Sequence, residues 1–361
     1  MKLGVFIVPE YHPDKANGGA ENICRLVTLS LCNYFDIIVF HSERSKVANL
    51  GMIKKHNNKL QSINAFYLDE WTRNKGEVTP AFCDTANSML QGCDIIISFE
   101  RTLANLKQPQ ITVLGGISYQ HCEDIAKSKK WNRLIVPSMF IKNKCCEFGA
   151  DANSIVVISN GIKCEDFFQT NKNVTNNVLL PFRPDYGKGF FESIDFVSEI
   201  NQNKNYGVYK LLIPKLSSSD FSDVSFYEKI DLYAVEKNVV IQYIPWGTKE
   251  TMNSIYNMSD FILSIGTLEE GFGLITIETI LSGRYIVTRK LGATPELIPN
   301  NWGIIFIEDN TVDEIMEKIT HRKSNDEELV LGEKYIHSHY TVENMCSNFL
   351  QVINDIVTEL L

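Results

Sequence analysis

Short, continuous apolar runs that alternate with helical stretches constrain this chain more than any other feature. Leu3 to Val8, Ile37 to Phe40, Asp94 to Ser98, Ile111 to Leu114, Leu134 to Val136 and Ile155 to Ile158 are too short for buried helices and lack the polar alternation of a half-exposed strand. Helical stretches lie near 80–91 and 138–149. A strand that is apolar on both faces needs a covering layer on each side, so the pattern predicts a parallel sheet between helices. A polar, Asn-rich stretch from Asn160 to Asn177 reads as a linker. The alternation then resumes, with strands at Val178 to Phe182, Val208 to Ile213, Val239 to Tyr243, Phe261 to Ile265 and Tyr285 to Thr288. From about 310 the chain is mostly helical, and it ends in a long helix.

At 361 residues there is enough chain for two domains of ordinary size. The formal net charge of −9 argues against a nucleic-acid partner, because holding a phosphate backbone takes a basic field. The nine cysteines are odd in number and none forms a C-x-x-C pair, which speaks against a disulfide framework and a zinc site. Met1 to Val8 runs into Pro9 without a small-residue cleavage site, so it reads as a first strand and not a signal peptide. No apolar run approaches bilayer-spanning length. A soluble, cytoplasmic protein is expected, in which the sequon Asn173-Val174-Thr175 would go unused. Two basic groups, Arg44 to Lys59 and Lys127 to Arg133, are either solvated surface or contacts to an anionic acceptor or a membrane face.

In open α/β sheets ligands bind at the carboxyl ends of the strands. Past Phe261 to Ile265 comes Leu268-Glu269-Glu270-Gly271-Phe272-Gly273-Leu274, then a helix whose apolar face is Leu274, Ile277, Ile280 and Leu281, with Glu278 in it. A helix start carries unpaired N–H groups and a partial positive charge, and Gly271 and Gly273 leave room for an anion to approach it. The oxygens of Glu270 and Glu278 suit hydroxyl groups, as on a sugar or a ribose. Read alone, the stretch is equally a glycine turn whose acidic residues complement the helix dipole. Two other loops of the same sheet edge add to it. Arg183 and Lys188, in Arg183-Pro184-Asp185-Tyr186-Gly187-Lys188-Gly189, follow one strand, and Gly292-Ala293-Thr294-Pro295-Glu296 follows another. A cation pair beside a bare helix start would clamp a diphosphate. In the first half, Gly18-Gly19 after strand one sits where a phosphate or second substrate would approach.

At these residues the sequence resembles glycosyltransferase family 4, the retaining enzymes of the GT-B fold. The resemblance takes in Gly18-Gly19, Val136-Pro137-Ser138, Val157 to Ile162, Arg183 with Lys188-Gly189, Glu270 to Leu274 with Glu278, and Gly292 to Glu296. It implies two Rossmann-like doubly wound domains facing a cleft: an acceptor-binding domain over 1–168 and a nucleotide-sugar-binding domain over 169–340. The helix over 341–361 would cross back to the first. It further implies that Arg183 and Lys188 bind the donor diphosphate and stabilise the departing nucleotide. Glu270, with the backbone of Phe272, Gly273 and Leu274, would contact the donor sugar and its phosphates. Glu278 would hold the ribose hydroxyls, and Gly18 and Gly19 would leave room for diphosphate and acceptor.

The chain departs from the family pattern in places. The family commonly has a histidine directly after the strand at Ile111 to Leu114, where this chain has Gly115-Gly116, with His121 further on. His121 either takes that role or is an ordinary surface histidine. The segment before Glu270 lacks the usual Pro-Ser, and Pro184-Asp185-Tyr186 is an unusual link.

The resulting expectation is a retaining glycosyltransferase that moves a hexose from a nucleotide-diphosphate sugar to a sugar or lipid-linked acceptor. No metal or other cofactor is implied beyond that co-substrate. Surface polysaccharide or lipopolysaccharide assembly is the implied setting, in the cytoplasm or peripherally at the cytoplasmic face of the membrane. A nucleotide-sugar epimerase of the same fold is one rival, which an epimer formed without acceptor would favour. A catalytically inactive, transferase-like partner subunit is the other, which tight donor binding without turnover would favour.

Overall fold

The computed structural model describes residues 1–8, 11–14, 19–43, 53–67, 80–116, 121–170, 173–215, 224–321 and 326–361. They form two compact units, Met1–Ile162 together with Tyr340–Leu361, and Lys163–His339. In chain order the helices are α1 Gly19–Leu31, α2 Pro80–Leu90, α3 His121–Ser128, α4 Met139–Glu147, α5 Phe190–Gln202 and α6 Val224–Glu236. They continue with α7 Lys249–Tyr256, α8 Leu274–Leu281, α9 Thr294–Leu297, α10 Val312–Thr320, α11 Glu327–His339 and α12 Val342–Leu360.

The first unit is built on β1 Lys2–Phe6, β2 Asp36–Glu43, β3 Ile53–Lys55, β4 Leu60–Tyr67, β5 Ile95–Phe99, β6 Gln110–Val113, β7 Arg133–Val136 and β8 Ile155–Val157. Their order across the sheet is β3-β4-β2-β1-β5-β6-β7-β8. Every pairing is parallel except β3 with β4. The chain starts in the middle at β1, winds out through β2, then returns to β5 and winds out the other way. Hence the carboxyl ends of β1 and β5 flank the point where the winding reverses.

The apolar runs of the sequence are this sheet's interior: β5 and β6 are buried along their whole length. One core joins Leu3 and Val5 of β1, Ile23, Leu26 and Val27 of α1, and Met345, Phe349, Val352 and Ile356 of α12. The other face is packed by Phe6, Phe40, Leu90 and Ile96. Chain entry to α12 is fixed by Ile162 N–H donating to the Tyr340 carbonyl (2.8 Å) and by Thr341, whose hydroxyl accepts from Asn344 N–H (3.1 Å). A β-carbon at Gly161 would lie 2.7 Å from the Val342 Cα, so only glycine admits this crossing.

The second unit contains β9 Asn177–Leu179, β10 Lys210–Lys215, β11 Val240–Pro245, β12 Phe261–Ser264, β13 Tyr285–Thr288 and β14 Ile304–Phe306. They are ordered β11-β10-β9-β12-β13-β14 and all parallel. Its winding reverses between β9 and β12. Both sheets are thus the doubly wound parallel kind that the apolar runs predict, although the sequence pattern misses β3, β4, β14 and α3. No helix among the described residues is long and apolar enough to cross a membrane, and no disulfide joins the described cysteines.

Candidate functional site

In the second unit the site grows from the loops after β9, β12 and β13. After β9, Pro184 is buried and Asp185 caps a single 3-10 turn at Tyr186–Lys188 by accepting from Gly187 N–H (2.7 Å). The Pro-Asp-Tyr link thus forms a capped turn, and Lys188 is its last residue. Gly189 follows at φ 80 and opens α5. The loop after β12 lies on this turn backbone to backbone. Thr267 and Leu268 N–H donate to the Gly187 carbonyl (2.9 and 3.2 Å). A β-carbon at Gly266 would meet that same oxygen at 2.2 Å, and one at Gly189 would meet the Gly266 nitrogen at 2.6 Å. The altered segment before Glu270 is therefore shaped by a crossing that excludes side chains at both glycines.

The loop after β13 closes from the other side. Gly292, at φ 61, approaches the Glu270 backbone so closely that a β-carbon would lie 2.3 Å from its carbonyl oxygen, and Ala293 N–H donates to that oxygen (2.9 Å). Gly273, at φ 91, starts α8 without a side-chain cap. Phe272 is buried beneath it, and Leu274 is the first helical residue.

Lys188 and Glu270, far apart in sequence, meet here: the ammonium Nζ is 2.5 Å from Glu270 Oε1, with both side chains partly exposed. Lys188 also lies over the Phe182 ring, 5.1 Å from its centre. Arg183 is exposed, and its guanidinium stands 5.9 Å from the centre of the Trp246 ring, at the end of β11. Of the predicted donor residues, the structure thus gathers Lys188, Glu270 and the Gly273 helix start, while Arg183 is seen against Trp246.

Glu278 belongs to a different contact. The buried Tyr256 hydroxyl at the end of α7 donates to its Oε2 (2.6 Å). Burial pushes the Glu278 carboxyl up to about 7, and the Tyr256 hydrogen bond works in the opposite direction. Phe167 packs edge-on against the same tyrosine (centres 6.1 Å apart). Sequence reading missed Tyr256, because nothing in α7 marks which of its residues faces α8.

In the first unit, Gly19 is the exposed first residue of α1, and Gly18 lies outside the described residues. His121 is the first residue of α3, and its side chain also lies outside them, as do Arg44 to Met52 of the first basic group. Lys54 and Lys55 stand on the exposed edge strand β3. Among the described residues, a group at the strand ends is one the sequence did not single out. Glu100, directly after β5, accepts at Oε1 from Gly115 N–H (2.6 Å), just past β6. Burial pushes its carboxyl up to about 7. Its position immediately after an unbroken apolar strand was the available signal.

Chemically, the second unit offers a lysine cation, uncapped helix N–H groups and a carboxylate within one loop cluster, with a protonatable carboxyl deeper on α8. Such a set can take an anion and hydroxyls together.

At the level of sequence alone, no family model matches the chain, and neither does any curated protein. Solved structures do match. Sucrose-phosphate synthase from Thermosynechococcus elongatus superposes with a TM-score of 0.80 at 13% identity, covering 99% of both chains. HepE from Anabaena, in complex with UDP and glucose, gives 0.71 at 12% identity over 98% of this chain and 100% of its own. The lipopolysaccharide outer core galactosyltransferase WaaB in its apo form gives 0.70 at 15% identity over 98% and 99%. The fold of this chain, two parallel-sheet α/β units across its whole length, is the GT-B fold of these glycosyltransferases.

Proposed function

We propose that the protein is a retaining, metal-independent glycosyltransferase that moves a hexose from a nucleotide-diphosphate sugar to a sugar or lipid-linked acceptor. The observation that carries this reading is the Lys188–Glu270 pair set against the Gly273 start of α8, where the winding of the second sheet reverses. HepE is a neighbour crystallised with UDP and with UDP-glucose, which favours a UDP-sugar donor. WaaB, a lipopolysaccharide outer core galactosyltransferase, favours surface polysaccharide or lipopolysaccharide assembly as the setting. The work is then done in the cytoplasm, with a peripheral membrane contact through basic residues such as Lys54 and Lys55.

In this mechanism Lys188 and the N–H groups of Phe272, Gly273 and Leu274 hold the diphosphate, and Arg183 adds a second cation. Glu270, released from Lys188 by the incoming phosphate, accepts from the donor sugar's hydroxyls, and Glu278 accepts from the ribose. The bond between the anomeric carbon and the phosphate oxygen breaks while the acceptor hydroxyl bonds to that carbon on the same face. The hydroxyl proton passes to the departing phosphate oxygen, so no protein nucleophile is required. The test is turnover of a panel of nucleotide sugars by the purified chain. Donor consumption that Lys188→Ala and Glu278→Ala abolish supports the reading; no consumption of any donor, or variants as active as the parent, refutes it.

A further inference from the structure

Glu100 combines a left-handed backbone with a half-buried carboxylate. Its φ is 58, in the left-handed region where a side chain with a β-carbon costs about 1–2 kcal/mol. Its carboxylate is half-buried, and that burial raises its proton affinity. Three hydrogen bonds fix it: its N–H donates to the Val113 carbonyl (2.8 Å), its carbonyl accepts from Arg101 Nη1 (2.5 Å), and its Oε1 accepts from Gly115 N–H. A β-carbon at Gly115 would stand 2.8 Å from that oxygen, so the bare Gly115 is what admits the carboxylate. Strain and desolvation at one residue are costs that persist where the residue meets a ligand.

The place is also the right one. β5 pairs with β1 at the reversal of the first sheet, and ligands of open α/β sheets bind outside the carboxyl ends of strands at such a point. A carboxylate has room for several donors, and Gly115 N–H uses one. Above about pH 7, where it is ionised, its charge repels phosphates and carboxylates, so the group it suits is a neutral polyol, and the binding test belongs at about pH 8.

We propose that Glu100 is a ligand-binding carboxylate of the first unit that accepts a hydrogen bond from a hydroxyl of a neutral sugar acceptor. The acceptor role rests on the glycosyltransferase reading above; the sugar site itself does not.

The full chain, with UDP present, is titrated with the methyl α-glycosides of glucose, galactose and mannose and with glucose 6-phosphate, followed by saturation-transfer NMR. UDP binding is measured separately by thermal shift. Glu100→Gln keeps an oxygen for Gly115 N–H but removes the charge, so a mere loop clasp would survive it. At least one glycoside should bind saturably and glucose 6-phosphate less well. Glu100→Gln should weaken that glycoside about tenfold or more, the loss expected for a charged hydrogen bond, while the UDP response stays within about twofold. Equal glycoside binding by Glu100→Gln overturns the proposal, and so does the absence of binding by every glycoside. A variant that loses UDP response and melting temperature together also overturns it, because Glu100 is then structural. Glycoside binding that depends on Glu100 in a chain that ignores UDP, GDP and ADP alike would leave this site standing and refute the donor reading instead.

Discussion

Glu278 gives the second unit a pH dependence whose direction follows from its surroundings. Burial raises its carboxyl from the ordinary 4.5 to about 7, and the Tyr256 hydroxyl favours the ionised form. The ionised carboxylate is the better acceptor for ribose hydroxyls, so UDP affinity should rise between about pH 6 and about pH 8. Tyr256→Phe removes the group that favours ionisation, and the midpoint of that rise should move upward; an unmoved midpoint contradicts the contact's role. For the unliganded fold the sign is opposite. Between 4.5 and about 7 the native chain holds a proton on Glu278 that the unfolded chain releases, so stability falls as pH rises through that window. Glu278→Gln should flatten the fall in melting temperature across it, leaving the share that Glu100, shifted the same way, contributes. At this scale the sequence discloses residues that a strand end marks. Lys188, Glu270 and Glu278 could be picked out because glycines and strand ends frame them. Tyr256 could not, because it depends on which face of α7 meets α8; Glu100 stands at a strand end and was legible by that, but its pairing with a glycine of the adjacent loop was not.

At the scale of elements, the loops after β9 and β12 work as one body because their backbones touch. Ala at position 266 must push against the Gly187 carbonyl, which is backbone and cannot step aside. Gly266→Ala should therefore cost about 1–3 kcal/mol in chemical denaturation and displace Lys188 with it. Gly92→Ala is the control: nothing lies within 4 Å of its new β-carbon, and stability should change by less than about 0.5 kcal/mol. Equal costs would mean that the crossing is slack. The buried parallel strands were legible because burial on both faces leaves unbroken apolar runs. β4 escaped because Leu60-Gln61-Ser62-Ile63-Asn64 keeps neither an unbroken apolar run nor a strict alternation. β3 escaped because its residues are all exposed at an edge, and β14 because three residues give no period to read.

For the whole molecule, the last helix is part of the first unit's core and not an appendage. Phe349 of α12 is 1% exposed and shares its cluster with Leu3 and Val5 of β1 and with α1. Phe349→Ala should lower the stability of that unit by about 3–5 kcal/mol, read from denaturation followed by proteolysis of Met1–Ile162. A loss confined to the last residues would show the helix to be dispensable. The period of Met345, Phe349, Val352 and Ile356 marks an apolar helix face in the sequence, but only packing shows which sheet covers it. The central claim is that the second unit binds a nucleoside diphosphate through Lys188, and calorimetric titration of the full chain with UDP, beside GDP and ADP, tests it most directly. The account predicts saturable binding of one of them at one site per chain, weakened by about 3 kcal/mol, some hundredfold, in Lys188→Ala. No binding of any of the three, or equal binding by Lys188→Ala, would contradict it.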